Sequence, residues 1–193
     1  LRQAFMAVAD HITPEGQFIW PNDKDMYWAG SHEHAWRLEP LLMGFIWADG
    51  VFSDDERDHV AAALRRAADW LIANPCIQHN NRGIVWCAIV MLCGLYYDDS
   101  AMQDVAASEI EAILRGVILE DGEIGEHTKQ YAGGGPCTNY TYTGLGYVYL
   151  YRLFSGDDGL DTLLMQGARW LSIYNSISGY PLAAGASVRV AKP

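Results

Sequence analysis

Apolar residues recur along most of this chain at the three- and four-residue spacing of amphipathic α-helices. The segment after Ser53 is a clear example of this spacing. A capping-box sequence, Ser53-Asp54-Asp55-Glu56, marks the start of its helix. Its apolar positions are Val60, Leu64, Ala67, Ala68 and Leu71. Further helices are predicted at 1–12, 34–49, 100–117, 138–154 and 158–175, because Asn-Pro, Asp-Asp and Ser-Gly-Asp breaks separate the periodic segments. Ser100, with Gln103 three residues later, is the expected cap of the helix at 100–117.

Residues 82–97 differ from these amphipathic segments. Their sequence, RGIVWCAIVMLCGLYY, is apolar on every side of a helix, which predicts a helix buried all round. Short turns make successive helices antiparallel neighbours. The alternation of buried and amphipathic helices favours an all-α fold of antiparallel hairpins that form part of an incomplete (α/α) toroid. A plain bundle and a helical solenoid are the alternatives, although no repeat of fixed period supports a solenoid.

Composition narrows the classes of function. The net charge is −11, from 13 basic and 24 acidic residues, which argues against a nucleic-acid partner. No apolar segment has the length of a transmembrane helix, so no membrane partner is expected. The four cysteines include no CxxC pair, and we expect inert buried thiols and no metal site. Seven Trp and eleven Tyr are mostly core candidates, but they also suit a sugar-binding cleft.

Three loops are richer in polar and aromatic residues than turns require: residues 18–39, 76–83 and 121–144. Loops at one rim of a toroid converge on its cleft, and functional residues often sit on such loops. The third loop contains Asp121-Gly122, Glu126, Tyr131 and three consecutive glycines, Gly133 to Gly135. The glycines do not form a GxGxxG pattern, which argues against a dinucleotide site.

The order of two motifs resembles the helical domain of heparinase II/III-like polysaccharide lyases and their alginate-lyase relatives. Asn81-Arg82-Gly83 opens the apolar helix, and Asp121-Gly122, Glu126 and Tyr131 follow the next helix. The family usually has His where this chain has Arg82. The resemblance covers residues 34–190, and the closing segment SGYPLAAGASVRV is similar to the family's exit from the toroid towards a β-sandwich. It implies one helical domain over 1–193, part of a longer chain, with an exit segment at 178–193.

The resemblance implies β-elimination on a uronic-acid-containing polysaccharide, without a cofactor. Asn81 and Arg82 would neutralise the uronate carboxylate, which stabilises the negative charge that develops when the C5 proton leaves. Tyr131 would act as base and acid, and Glu126 completes the catalytic set. The residues expected to contact substrate are His127, Tyr140, Tyr142, Trp28 and His34. Tyr140 and Tyr142 are also rivals to Tyr131 as the catalytic acid.

Other interpretations stay open at this point. Asn81 suits a helix N-cap, and Arg82 suits a solvated first-turn residue. His32-Glu33-His34 has the spacing of a metal-binding pair but lacks a clear third ligand. A toroid glycoside hydrolase with two carboxylates, such as Glu126 with Asp121 or Glu33, and a carbohydrate-binding module without catalysis are the competing functions. A periplasmic or secreted location in a bacterium fits a polysaccharide substrate, with the cytoplasm as the alternative and the oligomeric state open.

Overall fold

The computed structural model describes residues 1–19, 31–48, 50–76, 80–118, 122–124 and 138–173. In that part of the chain the protein is all-α, as predicted, and β-structure is limited to two isolated bridges. The helices are α1 (Arg2–Asp10), α2 (Ser31–Trp47), α3 (Asp54–Ala73), α4 (Asn81–Tyr96), α5 (Ser100–Val117), α6 (Thr138–Ser155) and α7 (Asp161–Ile173), with a 3₁₀ turn at Asp158–Leu160 before α7.

The ends of these helices follow from capping chemistry. The capping box predicted before α3 is confirmed, since the Ser53 N–H donates to the Glu56 carboxylate at 3.1 Å. The interpretation of Asn81 as an N-cap is wrong, because the Asn80 side chain accepts the Arg82 N–H at 2.9 Å. A cap needs extended backbone, and that conformation falls on Asn80. Asp99 likewise replaces the expected Ser100 as the cap of α5.

Helix α4 is the centre of the core, as its all-round apolar sequence predicts. Thirteen of its sixteen residues are buried, and only its last residues, Leu95 and Tyr96, are clearly exposed. The Trp86 indole N–H donates to the Leu71 carbonyl at 2.9 Å, so the one polar group of this buried ring is satisfied. Helix α4 packs against α2, α3, α5 and α6.

Helices α2, α4 and α6 all begin at the same end of the molecule. His34, near the start of α2, contacts the Ala67 carbonyl, and Trp86, near the start of α4, contacts Leu71; both partners lie towards the end of α3. A Cβ built on Gly144, early in α6, would lie 3.5 Å from Ile84 Cδ1, in the first turn of α4. We call this end the N-terminal rim.

Two further findings bear on function. No helix in the described part of the chain has the length and apolarity that crossing a bilayer requires. Cys76, Cys87 and Cys93 are buried free thiols, as expected, and burial raises the pKa of Cys93 to about 12. Such thiols are protonated at neutral pH and are poor nucleophiles. Cys137 lies outside the described residues.

Candidate functional site

The N-terminal rim carries the predicted site residues that the structure describes: Asn81 and Arg82 on α4, His34 on α2, and Tyr140 and Tyr142 on α6. The others, Trp28, Glu126, His127 and Tyr131, lie outside the described residues. The predicted meeting of Asn81 and Arg82 with Glu126 and Tyr131 therefore stays a prediction.

Asn81 and Arg82 occupy the first turn of α4 in different environments. Asn81 is only 4% exposed, whereas Arg82 is half-buried. Within the described ranges, no carboxylate forms an ion pair with the Arg82 guanidinium. The positive end of the α4 dipole lies at the same place, so this turn attracts anions and gives a cation no local benefit.

His32 contacts an exposed aromatic ring and is near enough to Arg82 for the charge of the guanidinium to act on it. Burial, and then the positive charge of Arg82, lower the pKa of His32 to about 4. The imidazole is therefore neutral at pH 7 and adds no second positive charge beside Arg82. Its ring also meets the Trp36 indole, with centroids 5.3 Å apart and planes at 74°. Trp36 is 38% exposed.

A hydrogen bond from α6 reaches the same face of α2. The Tyr147 hydroxyl donates to Glu39 Oε2 at 2.6 Å, and the Trp36 indole lies close enough to influence the phenol. Burial and the Glu39 carboxylate raise the pKa of the Tyr147 phenol, which outweighs the opposite effect of the indole. We call His32, Trp36, Glu39 and Tyr147 the Trp36 cluster. Sequence reasoning missed it, although positions 32, 36 and 39 share one side of a helix.

His34 points away from this cluster. Its ring packs between Phe18 and Trp70, with centroid distances of 4.6 and 4.4 Å, and its Nε2 lies 3.0 Å from the Ala67 carbonyl oxygen. His34 is 6% exposed, and a sugar has no access to a ring held in this way. The His32-Glu33-His34 sequence also lies inside α2, where residues two apart project in different directions. The described residues contain no group of three potential metal ligands.

The segment 122–124, just before Glu126, is fixed against the start of α6. The buried Thr141 hydroxyl accepts the Ile124 N–H at 3.2 Å and lies 3.3 Å from the Ile124 carbonyl oxygen, to which it can donate. Gly122 has a φ of +93°, and a Cβ there would lie 2.7 Å from the α7 backbone, so only glycine fits. Gly144 lets Ile124 approach α6 closely, and Ile84 borders the same glycine. The described segment just before Glu126 therefore lies at the N-terminal rim.

Tyr140 and Tyr142 stand on either side of Thr141. Tyr142 is 57% exposed, whereas Tyr140 is half-buried and has an interaction partner. Because Thr141 is buried against Ile124, its two neighbours project to the sides of that contact. Both tyrosines are at the N-terminal rim, and their role in binding stays a prediction.

A cavity of about 660 Å³ lies elsewhere, between α5, α6 and the turn before α7. Its walls are mainly apolar, with Ile110, Leu114, Leu160 and Leu163 among them, and no predicted site residue contributes to it. Size alone does not connect this cavity with the chemistry at the rim.

Comparison of the chain with protein-family models, curated proteins and solved structures gives no match. The site is therefore argued from its own residues and from the motif resemblance.

Proposed function

We propose that this chain is the helical part of a polysaccharide lyase that cleaves a uronic-acid polymer by β-elimination. The observation that carries the proposal is Arg82, a half-buried cation in the first turn of α4 without a carboxylate partner among the described residues. A carboxylate ligand would satisfy this guanidinium with a bidentate hydrogen bond and would also lie at the positive end of a helix. A uronate supplies that carboxylate.

The arrangement of helices supports the toroid part of the proposal. Helices α2, α4 and α6 form a row, while α1 packs on α3, α3 on α2 and α4, α5 on α4, and α7 on α6. This is the packing expected of an arc with α2, α4 and α6 as its inner wall and the other helices outside. The inner helices would then begin at a rim that faces the cleft, where Arg82 and the Trp36 cluster lie.

In the proposed reaction, a base removes the proton at C5 of the uronate, and the bond from C4 to the leaving oxygen breaks. The electron pair of the C5–H bond forms the C4–C5 double bond, and the leaving oxygen takes up a proton. Arg82 stabilises the charge that develops on the carboxylate. Asn81, expected to assist it, is only 4% exposed and has no more access to a sugar than His34 has. Tyr131 is the proposed base and acid. Tyr147 is unsuited to being the base, because burial and Glu39 raise the pKa of its phenol.

The first test is an assay of the full-length protein on alginate, heparan sulfate and hyaluronan. Elimination leaves a 4,5-unsaturated uronyl group, whose ultraviolet absorbance reports each cleavage. We expect this absorbance to rise on one of these polymers. New reducing ends without the absorbance would instead identify a hydrolase with two carboxylates. Binding without new ends would identify a carbohydrate-binding module.

Two variants then test the roles within the active protein. Arg82→Gln should lower kcat/KM by about 10²–10³-fold, because the developing carboxylate charge loses its cation. Tyr131→Phe should lower kcat by about 10²–10⁴-fold, because the phenol transfers the proton. Arg169→Gln and Tyr149→Phe make the same changes at exposed positions of α7 and α6 and should leave the rate unchanged. Wild-type rates in Arg82→Gln would refute the role of this arginine.

A further inference from the structure

We propose that the free face of α6 is the interface of a dimer, in which a second copy of this chain packs antiparallel on it. The face consists of Tyr142, Gly146, Tyr149 and Leu153, which are the exposed residues between positions 140 and 155 of α6. We call these four residues the α6 seam. The inference concerns assembly and does not rest on the proposed lyase activity.

The first support is the chemistry of this face. Tyr142, Tyr149 and Leu153 are 57%, 52% and 50% exposed, and no residue of the seam carries a charge. The one charged residue in the sequence of α6, Arg152, is half-buried and forms an ion pair with Asp161 at 2.7 Å. By contrast, charged residues occupy most of the exposed positions of α3: Asp54, Asp55, Arg57, Asp58 and Asp69. A continuous exposed face without charges is typical of a surface that binds another protein.

The second support is the spacing of the seam. Its residues follow one another at intervals of four, three and four positions, which is the spacing of the contacts between helices in a coiled coil. Residues at this spacing lie in one row along a helix, so a single facing helix can contact all of them. Helix α6 packs on α4 and α7 with its other sides. The row is still exposed after that packing, so a further helix has access to it.

The third support is that the seam is complementary to itself in one orientation. In an antiparallel pair with a two-fold axis at the middle of the seam, Tyr149 of each copy lies opposite Gly146 of the other, and Tyr142 lies opposite Leu153. A Cβ built on Gly146 meets no atom within 4 Å, so the facing ring has room there. A parallel pair would place the two Tyr149 rings on each other and leave a gap between two glycines. The antiparallel pair covers Tyr142, and Tyr140 is then the described rim tyrosine that stays available to a sugar.

Electrostatics favour the same orientation. Asp157 and Asp158, exposed just after α6, would lie beside the start of α6 in the other copy, where the helix dipole is positive. A parallel pair would instead bring the same aspartates of the two copies together. The net charge of −11 on each copy opposes association, and a seam without charges limits that repulsion.

The size of the seam sets the strength of the pair. Two tyrosines and a leucine, each about half exposed, offer roughly 300 Å² per copy, and the half-buried Leu150 and Phe154 beside the row add to this area. The total for two copies stays below about 1,200 Å², which is the range of transient complexes. We therefore expect a dimer with a Kd on the order of 10–100 μM.

The test is sedimentation equilibrium of the full-length protein at about 0.15 M salt over a wide range of concentrations. We expect an equilibrium between monomer and dimer. Tyr149→Ala should raise the dimer Kd at least about tenfold, because both copies lose the ring that faces the glycine of the other. Tyr149→Phe keeps the ring and should leave the Kd unchanged. Trp47→Ala is the matched control, since it removes an exposed aromatic ring from α2, and it should also leave the Kd unchanged.

Gly146→Ala separates a role in the interface from a role in the fold. Alanine favours a helix more than glycine does, and its Cβ meets no atom here, so the urea midpoint of the dilute monomer should rise. In the dimer the added methyl group lies under Tyr149 of the other copy, so the Kd should rise as well. A higher urea midpoint with an unchanged Kd would overturn the proposed packing.

A cross-linking experiment tests the orientation. Tyr142→Cys mixed with Leu153→Cys should give a heterodimer joined by a short bis-maleimide, because these two positions face each other in the antiparallel pair. Neither variant should cross-link to itself, because the two copies of either position are eleven residues apart along the helices, about 16 Å. Wild type, with four cysteines of its own, is the control. Cross-linking of each variant to itself would identify a parallel pair and overturn the antiparallel one.

Two further outcomes would overturn the dimer. One is a protein that stays monomeric at every concentration. Maleimide labelling of Tyr149→Cys then shows what occupies the seam, since slow labelling means that another segment of the same chain covers it and rapid labelling means that it is open. The other is a dimer that Tyr149→Ala leaves as stable as Trp47→Ala does, which would place the interface elsewhere. None of these measurements involves a sugar, so they leave the lyase proposal to its own assay.

Discussion

The two sides of α2 show how one helix serves two different parts of the protein. His34, Leu38 and Leu42 lie on the side that packs into the core, and all three are buried. His32, Trp36 and Glu39 lie on the side that meets Tyr147 of α6, and His32 is near enough to Arg82 of α4 for its charge to act on the imidazole. The helical repeat makes this division, because residues four apart share a side and residues two apart do not.

The comparison also shows that the same pKa can arise from different surroundings. Both histidines have a pKa lowered to about 4, and burial is the largest cause in each. For His34 the hydrogen bond to Ala67 opposes the shift, and Arg37 adds to it. For His32 the second cause is Arg82, a candidate ligand-binding residue. The surroundings of the two rings, rather than the value, distinguish a packing histidine from one at a site.

The largest expected effect is a loss of stability when a residue on the core side of α2 is truncated. Leu38→Ala should lower the free energy of unfolding by about 2–5 kcal/mol, because Leu38 is completely buried and its truncation leaves a cavity. Urea unfolding followed by circular dichroism measures this loss. Trp47→Ala, at an exposed position of the same helix, should change the value by less than about 0.5 kcal/mol. Equal losses in the two variants would contradict the division of α2.

The next largest expected effect is a dependence of stability on pH, which arises from the histidine on the core side of α2. The folded-state pKa of His34 is lowered from 6.5 to about 4, so the unfolded chain binds a proton more readily than the folded protein does. Above about pH 6.5 His34 is neutral in both states and does not change the free energy of unfolding. That free energy falls as the pH drops from 6.5 to about 4, because the unfolded chain takes up the proton first. The shift corresponds to roughly 3 kcal/mol by the end of that window.

Urea midpoints measured between pH 7 and 4 test this directly. His34→Gln cannot titrate there, so its stability should fall less steeply than that of wild type. His32→Gln should also flatten the curve, and its effect should shrink when Arg82 is neutralised, since that charge contributes to the shift. Parallel curves for wild type and His34→Gln would show that other groups cause the acid sensitivity.

Much of the fold was accessible from the sequence, because apolar spacing records which side of a helix is buried. The all-round burial of α4 and the capping box at Ser53 follow from local patterns, and both are confirmed. The caps of α4 and α5 were misplaced by one residue, since Asn80-Asn81 and Asp99-Ser100 each offer two suitable side chains in a row. Backbone conformation decides between such neighbours, and the turn before the helix sets it.

The candidate site was less accessible. Arg82 could be singled out because a cation at a helix start opposes the helix dipole. The partners in the Trp36 cluster could not be paired, because Tyr147 and Glu39 are 108 positions apart in the chain and meet only because α2 and α6 both pack against α4. The spacing of positions 32, 36 and 39 was a visible signal. It predicts a shared side of α2 but gives no indication of what that side meets.

The smallest expected effect concerns the hydrogen bond that joins the site side of α2 to α6. Tyr147→Phe should lower the free energy of unfolding by about 1 kcal/mol, because the hydroxyl is only partly buried and Glu39 can bind water in its place. Tyr149→Phe, at an exposed position of the same helix, should have no effect. A loss as large as that of Leu38→Ala would mean that the Trp36 cluster is a second core and not a surface open to ligand.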